Sequence, residues 1–458
     1  MSVNLCSGCL EKQRRIDQLQ EEVRSLKAKL RYREQQAQQG PFGSSTPSAQ
    51  IPHKANAAEG QRAKKGGARP KHPGHGRQAV DQGSADRVET VPLGPTCPYC
   101  AGPLRHKDFR NRSVMDTLLQ RGQRLLYRLQ RKYCPRCKKV VQARAPGVLP
   151  QSGCGNQLLT QAIFLHYFHA IPMATVCQRF GVNVGTMFQM LHRVGALFQG
   201  AIPKLIEEYR QAPVRHADET RWRTDGRSGY AWLFATPALC LFLFRSSRSA
   251  RVVKEVFGGE KLKGSLVVDR YAAYRSALCA LQYCYAHLLR EVHDLAQEFS
   301  DRAEVRAFVA TLLPLLSAAM RLHSQPLPDE EYYAQAHRLQ QQIIDVTETP
   351  AQHLGIRQIQ DIFRDNPDCL YQWVRDRRVP ADNNRAEREL RRTVIARKTS
   401  FGSQSDAGAK TREILMSVVH TLALRTADPE TRFKSALDQL ASDPTQDPVS
   451  LLFPLDSS

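Results

Sequence analysis

The chain has 458 residues, 41% hydrophobic and 24% charged, a balance that excludes disorder throughout and suggests two to four domains. Basic side chains outnumber acidic ones by 66 to 44 for a net charge of +22, and residues 51–150 alone hold 21 basic against 6 acidic, so the front third is expected to grip a polyanion. No apolar run approaches the ~18 to 20 residues of a membrane helix and the first residues lack a signal pattern, so a cytoplasmic, nucleoid-associated protein without a membrane partner is expected.

Ile16, Leu19, Val23, Leu26 and Leu30 have the alternating three-four spacing of heptad a and d positions, among Glu21, Glu22, Arg24, Lys27 and Lys29. This predicts a coiled-coil helix over residues 1–35 that makes a homo-oligomer; an amphipathic helix lying on its own domain is the alternative. Cys6 and Cys9 precede it as a CxxC pair, either two exposed thiols or half of an interchain zinc clamp. Residues 36–90 are rich in Gln, Gly, Ala, Ser, Pro, Lys and His with no apolar period, so they read as a basic flexible linker whose Lys64, Lys65, Arg69 and Lys71 contact DNA phosphates.

Residues 91–150 run from Cys97-Pro-Tyr-Cys100 to Cys134-Pro-Arg-Cys137, with β-like segments at 113–118 and 124–133. Residues 151–210 read as helical. Within them 174–180, a turn at Gly181 and 186–194 have a helix-turn-helix layout, although any two packed helices joined by a Gly turn look alike. Strands at 214–220, 230–236 and 239–245 come after them, then a helix at 248–257, an apolar strand at 264–269, a short helix and a strand at 282–286. Strands first antiparallel and then alternating with helices describe a multidomain α/β chain whose mixed sheet is flanked by helices. That unit spans 211–425 with a helical insertion at about 300–370, and 426–458 reads as a C-terminal tail.

Two CxxC turns supply the four thiolates of a tetrahedral structural Zn²⁺ site at Cys97, Cys100, Cys134 and Cys137, four unlinked buried cysteines being the alternative. Lys138 and Lys139, next to the second pair, favour both thiolate and DNA phosphate. The other candidates are carboxylates. In the strand from Val214 the period of two puts His216 and Asp218 on one face. Asp269 ends the apolar run Leu266-Val267-Val268, where a charge needs a partner or caps the following helix. In the helix starting at Asp382-Asn383-Asn384, the residues Asn383, Glu387, Leu390 and Val394 share one stripe. Glu387 is therefore expected to face inward and Glu389 outward, with a Glu387–Arg391 salt bridge as the bland alternative. Three carboxylates ~4 Å apart repel by about 4 kcal/mol per pair at an effective dielectric of roughly 20, so they need a cation. Oxygen-only ligation specifies Mg²⁺ or Mn²⁺, commonly as a two-ion site suited to phosphodiester chemistry.

The runs HADETRW (216–222), VVDRYAAY (267–274), CYAHLLRE (284–291), DNNRAEREL (382–390) and RKTSFGS (397–403), behind a basic segment with KHPGHGRQ, resemble the insertion-sequence-66 family of bacterial transposases over nearly the whole chain. The resemblance implies a ribonuclease H-like core with an Asp, Asp, Glu triad at Asp218, Asp269 and Glu387. It further implies recognition of terminal inverted repeats, metal-dependent cleavage of 3′ ends, strand transfer into target DNA, and two small accessory proteins as partners. His287 matches the family's His after a Cys-aromatic-Ala segment and joins His216 and Asn383 as a possible accessory residue, with capping or packing as the alternative. Tyr285 stands where the family usually has Trp, and TSFGS replaces a more tryptophan-rich version. A DNA-binding regulator, or a nuclease without strand transfer, is the competing reading.

Overall fold

The computed structural model describes residues 83–118 and 121–454, together with Ile16, Leu19, Gln20 and Val23. Those four are helical, and Ile16, Leu19 and Val23 are exposed. Cys6, Cys9, Leu26, Leu30, Lys64, Lys65, Arg69 and Lys71 lie outside the described residues.

Strands β1 (Arg87–Val91), β2 (Arg105–Leu118), β3 (Arg121–Cys134) and β4 (Lys139–Gln142) form the first sheet. β2 and β3 pair antiparallel, β1 runs parallel to β3, and β4 pairs with the end of β3. The strands expected at 113–118 and 124–133 extend because the alternation continues: Leu125, Tyr127 and Leu129 turn into one small core with Val114. The base of this sheet docks on the neighbouring helices, where a Cβ on Gly122 would lie 2.0 Å from the Phe180 carbonyl oxygen.

Helices α1 (Asn156–Ile163), α2 (Met173–Phe180), α3 (Val184–Leu197) and α4 (Ala201–Gln211) come next, with a π turn at Phe164–Phe168. Gly181, at φ 67°, ends α2 in the left-handed region, and the Asn183 side chain caps α3 by accepting from the Gly185 and Thr186 amides.

The second sheet contains β5 (Val214–Thr224), β6 (Arg227–Thr236), β7 (Leu239–Arg245), β8 (Ser265–Val268) and β9 (Ala280–Tyr283), in the order β7-β6-β5-β8-β9. The first three pair antiparallel; β8 lies parallel to β5, and β9 parallel to β8. Helix α5 (Ala250–Phe257) precedes β8. The strand expected at 282–286 sits earlier, because Tyr285 opens α6 (Tyr285–Glu298), which buries Tyr285, Leu288, Val292 and Leu295 at helical spacing.

Residues 300–370 are helical as expected, forming α7 (Ala303–Leu322), α8 (Asp329–Glu348), α9 (Leu354–Asp365) and α10 (Pro367–Leu370), followed by α11 (Gln372–Arg375). α7 corrects the expectation about apolar runs: it is long and apolar enough to cross a membrane, with a mean hydropathy of 1.5. Its charges, Glu304, Arg306 and Arg321, cluster at the two ends, while Val305, Leu312, Leu316, Ala319 and Leu322 pack into the bundle with α6 and α8. Helices α12 (Asn384–Ser400) and α13 (Asp406–Arg425) return to the second sheet. The segment expected as a tail carries α14 (Pro429–Ser442) and α15 (Pro448–Leu452), and Phe433 is buried against Phe164 and Phe198.

β7 is an edge strand, and α13 seals it with one side chain per turn. Thr421 Oγ1 accepts from the Cys240 amide and donates to the Cys240 carbonyl, both at 3.1 Å. One turn back Ser417 accepts from the Phe242 amide at 2.9 Å, and another turn back Glu413 accepts from the Phe244 amide at 3.2 Å. Thr421→Val keeps the shape but leaves two buried backbone groups unpaired, at ~1 to 3 kcal/mol each. Urea unfolding is expected to show a loss of about 2 to 6 kcal/mol; an unchanged midpoint would mean the edge is closed by packing alone.

Candidate functional site

The register between β5 and β8 runs Val214↔Ser265, Arg215↔Leu266 and His216↔Val267. Continued by two residues, it brings Asp218 level with Asp269. Asp218 accepts from the Glu219 amide at 2.8 Å, and Asp269 accepts from the Tyr271 amide at 2.9 Å, so Asp269 also caps its own turn.

α12 is laid along β5 by bonds at both ends. At its start, buried Asn383 donates Nδ2–H to the Ala217 carbonyl at 2.8 Å and its amide N–H to Cys284 Sγ at 3.1 Å. Burial lowers the His216 pKa to about 4, so the ring is neutral, and its Nδ1 lies 3.0 Å from Asn383 Oδ1, as donor to it. Toward the other end Arg397 donates to Thr220 Oγ1 at 2.7 Å and to the Arg221 carbonyl at 2.9 Å. Beyond it Trp222 Nε1 donates to Ser403 Oγ at 3.1 Å. Gly402, at φ 134°, is required there, since a Cβ would lie 2.2 Å from the Arg223 carbonyl oxygen.

Glu387 is in the first turn of α12. Its Oε1 lies 3.3 Å from the Arg290 guanidinium and 3.8 Å from His287 Nδ1; Arg290 of α6, not Arg391, is its cationic neighbour. Burial, then the charges of Glu219, Asp269 and Glu387, raises the Asp218 pKa to about 8. The charges of Asp269 and Glu387 both reach Asp218, but the ligand atoms that lie within 4.8 Å of a Glu387 oxygen and of one another are those of Cys284 and His287, not those of the other two acids. His287 is shifted down by burial and then by Arg290, and its Nδ1 is buried without a hydrogen bond.

Glu219 was not singled out by the sequence pattern. The period of two puts it on the face of β5 opposite Asp218, where its buried carboxylate accepts from Arg248 Nε at 2.6 Å and from the Tyr274 hydroxyl. The run Asp218-Glu219 was the available signal, since an acid on the inner face of a central strand requires a basic partner. Glu389 is a correction. Expected to face solvent, its side chain is 21% exposed against 30% for Glu387, and its Oε2 lies 3.4 Å from His420 Nδ1. The angle around the helix was as counted; the far side is covered by α13 instead of water.

In the first sheet the four cysteines expected to hold zinc come together. Cys97 and Cys137 have their sulfurs 3.6 Å apart, Cys100 and Cys134 3.5 Å apart, and all four lie within 4.8 Å of one another. The Cys137 backbone N–H lowers the Cys134 pKa to about 6, favouring thiolate. Four converging sulfurs of this kind fit a structural Zn²⁺. Lys138 and Lys139 are exposed beside them, with the Lys139 ammonium 4.4 Å from the centre of the Tyr99 ring.

The second sheet carries Asp218 and Asp269 on adjacent strands with α12 laid along β5, behind a four-cysteine ribbon. Residues 151–411 match the model of the Transposase IS66 family, and the chain belongs to that family. Membership makes it a DDE-type transposase, a phosphoryl-transfer enzyme that binds DNA. It is similar to the uncharacterized protein y4qI of Sinorhizobium fredii (strain NBRC 101917 / NGR234), with 24% identity over 81% of this chain and 75% of the relative. The uncharacterized protein y4jD of the same organism is 22% identical over 77% of this chain and 76% of its own.

Proposed function

We propose that this chain is the transposase of a bacterial insertion sequence, which binds terminal inverted repeats, cleaves their 3′ ends and transfers them to target DNA, with Asp218, Asp269 and Glu387 as its catalytic acids. The observation that carries the reading is the attachment of α12 to β5 through Asn383, which holds Glu387 against the strand pair bearing Asp218 and Asp269. The strand order, three antiparallel strands followed by two parallel ones, supports a ribonuclease H-like core.

The same acids would hold Mg²⁺ or Mn²⁺. Burial first, then the charges of Glu219, Asp269 and Glu387, oppose the charged form of Asp218, and a bound cation would favour it. When bound, such a metal activates the attacking oxygen and neutralises the leaving one. Asn383, with neutral His216 behind it, is a positioning residue; His287 and Arg290 flank Glu387, where an exposed guanidinium suits phosphate.

The remaining parts are assigned accordingly. The heptad segment of residues 1–35 pairs protomers, the basic segment of 36–90, whose last four residues belong to β1 of the ribbon sheet, grips phosphate, the zinc ribbon of 91–150 and the helices of 151–210 hold the transposon ends, and 211–425 does the chemistry, closed by the helices of 426–454. Two small accessory proteins complete the complex, which works on DNA in the cytoplasm.

Divalent-cation affinity should depend on pH through Asp218. The metal-free carboxyl is protonated below about 8, so a cation must displace that proton. Apparent Mn²⁺ affinity is expected to rise about tenfold per pH unit from 6 to 8 and to level off above that. A flat profile by titration calorimetry would remove Asp218 from the metal site.

The test of the whole reading is a cleavage and joining assay on labelled DNA carrying the element's own end. Nicking and joined products that require Mg²⁺ and vanish with EDTA are expected. Cleavage without joining would leave a nuclease, and tight binding without cleavage under any metal or accessory-protein condition would leave a regulator.

A further inference from the structure

On the side of α12 away from Glu387, three potential ligands converge from three elements. Cys240 of β7, Glu389 of α12 and His420 of α13 bring a sulfur, a carboxylate oxygen and an imidazole nitrogen within 4.8 Å of one another. Cys240 and His420 are buried, and Glu389 reaches in from the edge.

We propose that Cys240, Glu389 and His420 form a second zinc site, distinct from the four-cysteine ribbon and from the proposed catalytic acids. The donor chemistry selects the metal, because a thiolate, an imidazole and a carboxylate together suit zinc, whereas Mg²⁺ and Ca²⁺ take oxygen. The geometry agrees with it. His420 Nδ1 and Glu389 Oε2 are 3.4 Å apart, long for a charge-assisted hydrogen bond. Two ligands on one tetrahedral zinc, at bonds of ~2.0 Å, lie about 3.3 Å apart.

His420 supplies an independent sign. The ring is walled by Phe168 and Phe242 at centroid distances of 5.0 and 4.8 Å and interacts with the Tyr167 backbone, which holds it with Nδ1 turned toward Glu389. A metal-binding imidazole commonly has its other nitrogen fixed by a backbone group in this way.

The site would tie α12, two residues from Glu387, to the sheet edge and to α13. Three protein ligands from three elements would fix the helix that carries the proposed third acid and leave the fourth zinc position to water.

The experiment uses the full chain carrying Cys6→Ser, Cys9→Ser and Asp269→Asn, which removes the other CxxC pair and weakens the proposed catalytic metal site. Protein loaded with Zn²⁺ and passed over a weak chelating resin is assayed for zinc by mass spectrometry. Two zinc ions per chain are expected, falling to one in Cys240→Ser and in His420→Gln. In the Co²⁺ form both variants should keep the strong thiolate absorption of the four-cysteine site and lose the weaker mixed-ligand band. Cys240→Ser leaves the backbone bonds to Thr421 in place, so its count decides the matter if His420→Gln does not fold. Equal zinc in parent and Cys240→Ser, or a parent holding only the zinc of the four cysteines, overturns the site and leaves a His–Glu contact beside a thiol.

Discussion

Asp218→Asn, Asp269→Asn and Glu387→Gln are each expected to lower cleavage and joining by on the order of 10³-fold or more while leaving binding to the transposon end intact or tighter. The magnitude reflects the group each substitution removes, a ligand to a metal that supplies several kcal/mol of transition-state stabilisation. Binding is spared because these acids only repel the DNA phosphates, and removing one negative charge reduces that repulsion. The structural cost should also be small. Without metal the Asp218 carboxyl is already protonated below about pH 8, so Asn replaces a neutral buried group of nearly the same shape. The assay is quantitative end cleavage beside a gel-shift titration on the same DNA. Any one variant that cleaves at the wild-type rate loses its residue from the triad, and parallel loss of binding and cleavage would point to misfolding instead.

The three acids were chosen from strand and helix periods in the sequence. The two-residue step from His216 to Asp218 and the apolar run ending in Asp269 lie on strands as read, whereas the inward stripe does not hold at Glu387: the helix buries Ala386, Leu390 and Thr393, and Glu387 is 30% exposed. What escaped notice depends on contacts across the fold. Glu389 looked solvent-facing because a helical wheel has no knowledge of α13, which arrives more than twenty residues later with His420. Glu219 was passed over because its partner Arg248 is 29 positions away on another element. Residues 426–454 read as a tail for a related reason: Phe433 finds its core in helices near Phe164 and Phe198, over two hundred residues back. The end of the β9 region was misplaced by a few residues, since an apolar run of Gln282 to Ala286 suits a strand or a buried helix start equally well until Tyr285 is seen to pack on Trp373.

The ribbon should depend on its metal far more than the second sheet depends on its own. Its two small cores hold seven residues around Tyr127 and three around Cys97 and Cys134, too little apolar surface to order long strands alone. A structural zinc at such a site contributes roughly 10 kcal/mol or more, so Cys134→Ser or exhaustive chelation is expected to unfold the outer ribbon outright. The loss should be local. β3 is anchored at its base by the close fit of Gly122 to α2, and the large core around β5, β6 and β7 contains none of the ribbon's strands. Hydrogen exchange is expected to show lost amide protection at Lys132, Tyr133 and Val141 with protection in β6 retained. End binding should fall as Lys138 and Lys139 lose their fixed place. Protection of β3 and β4 that persists after zinc is removed would mean the four thiols pack as an ordinary small core and the metal is not what holds the ribbon together.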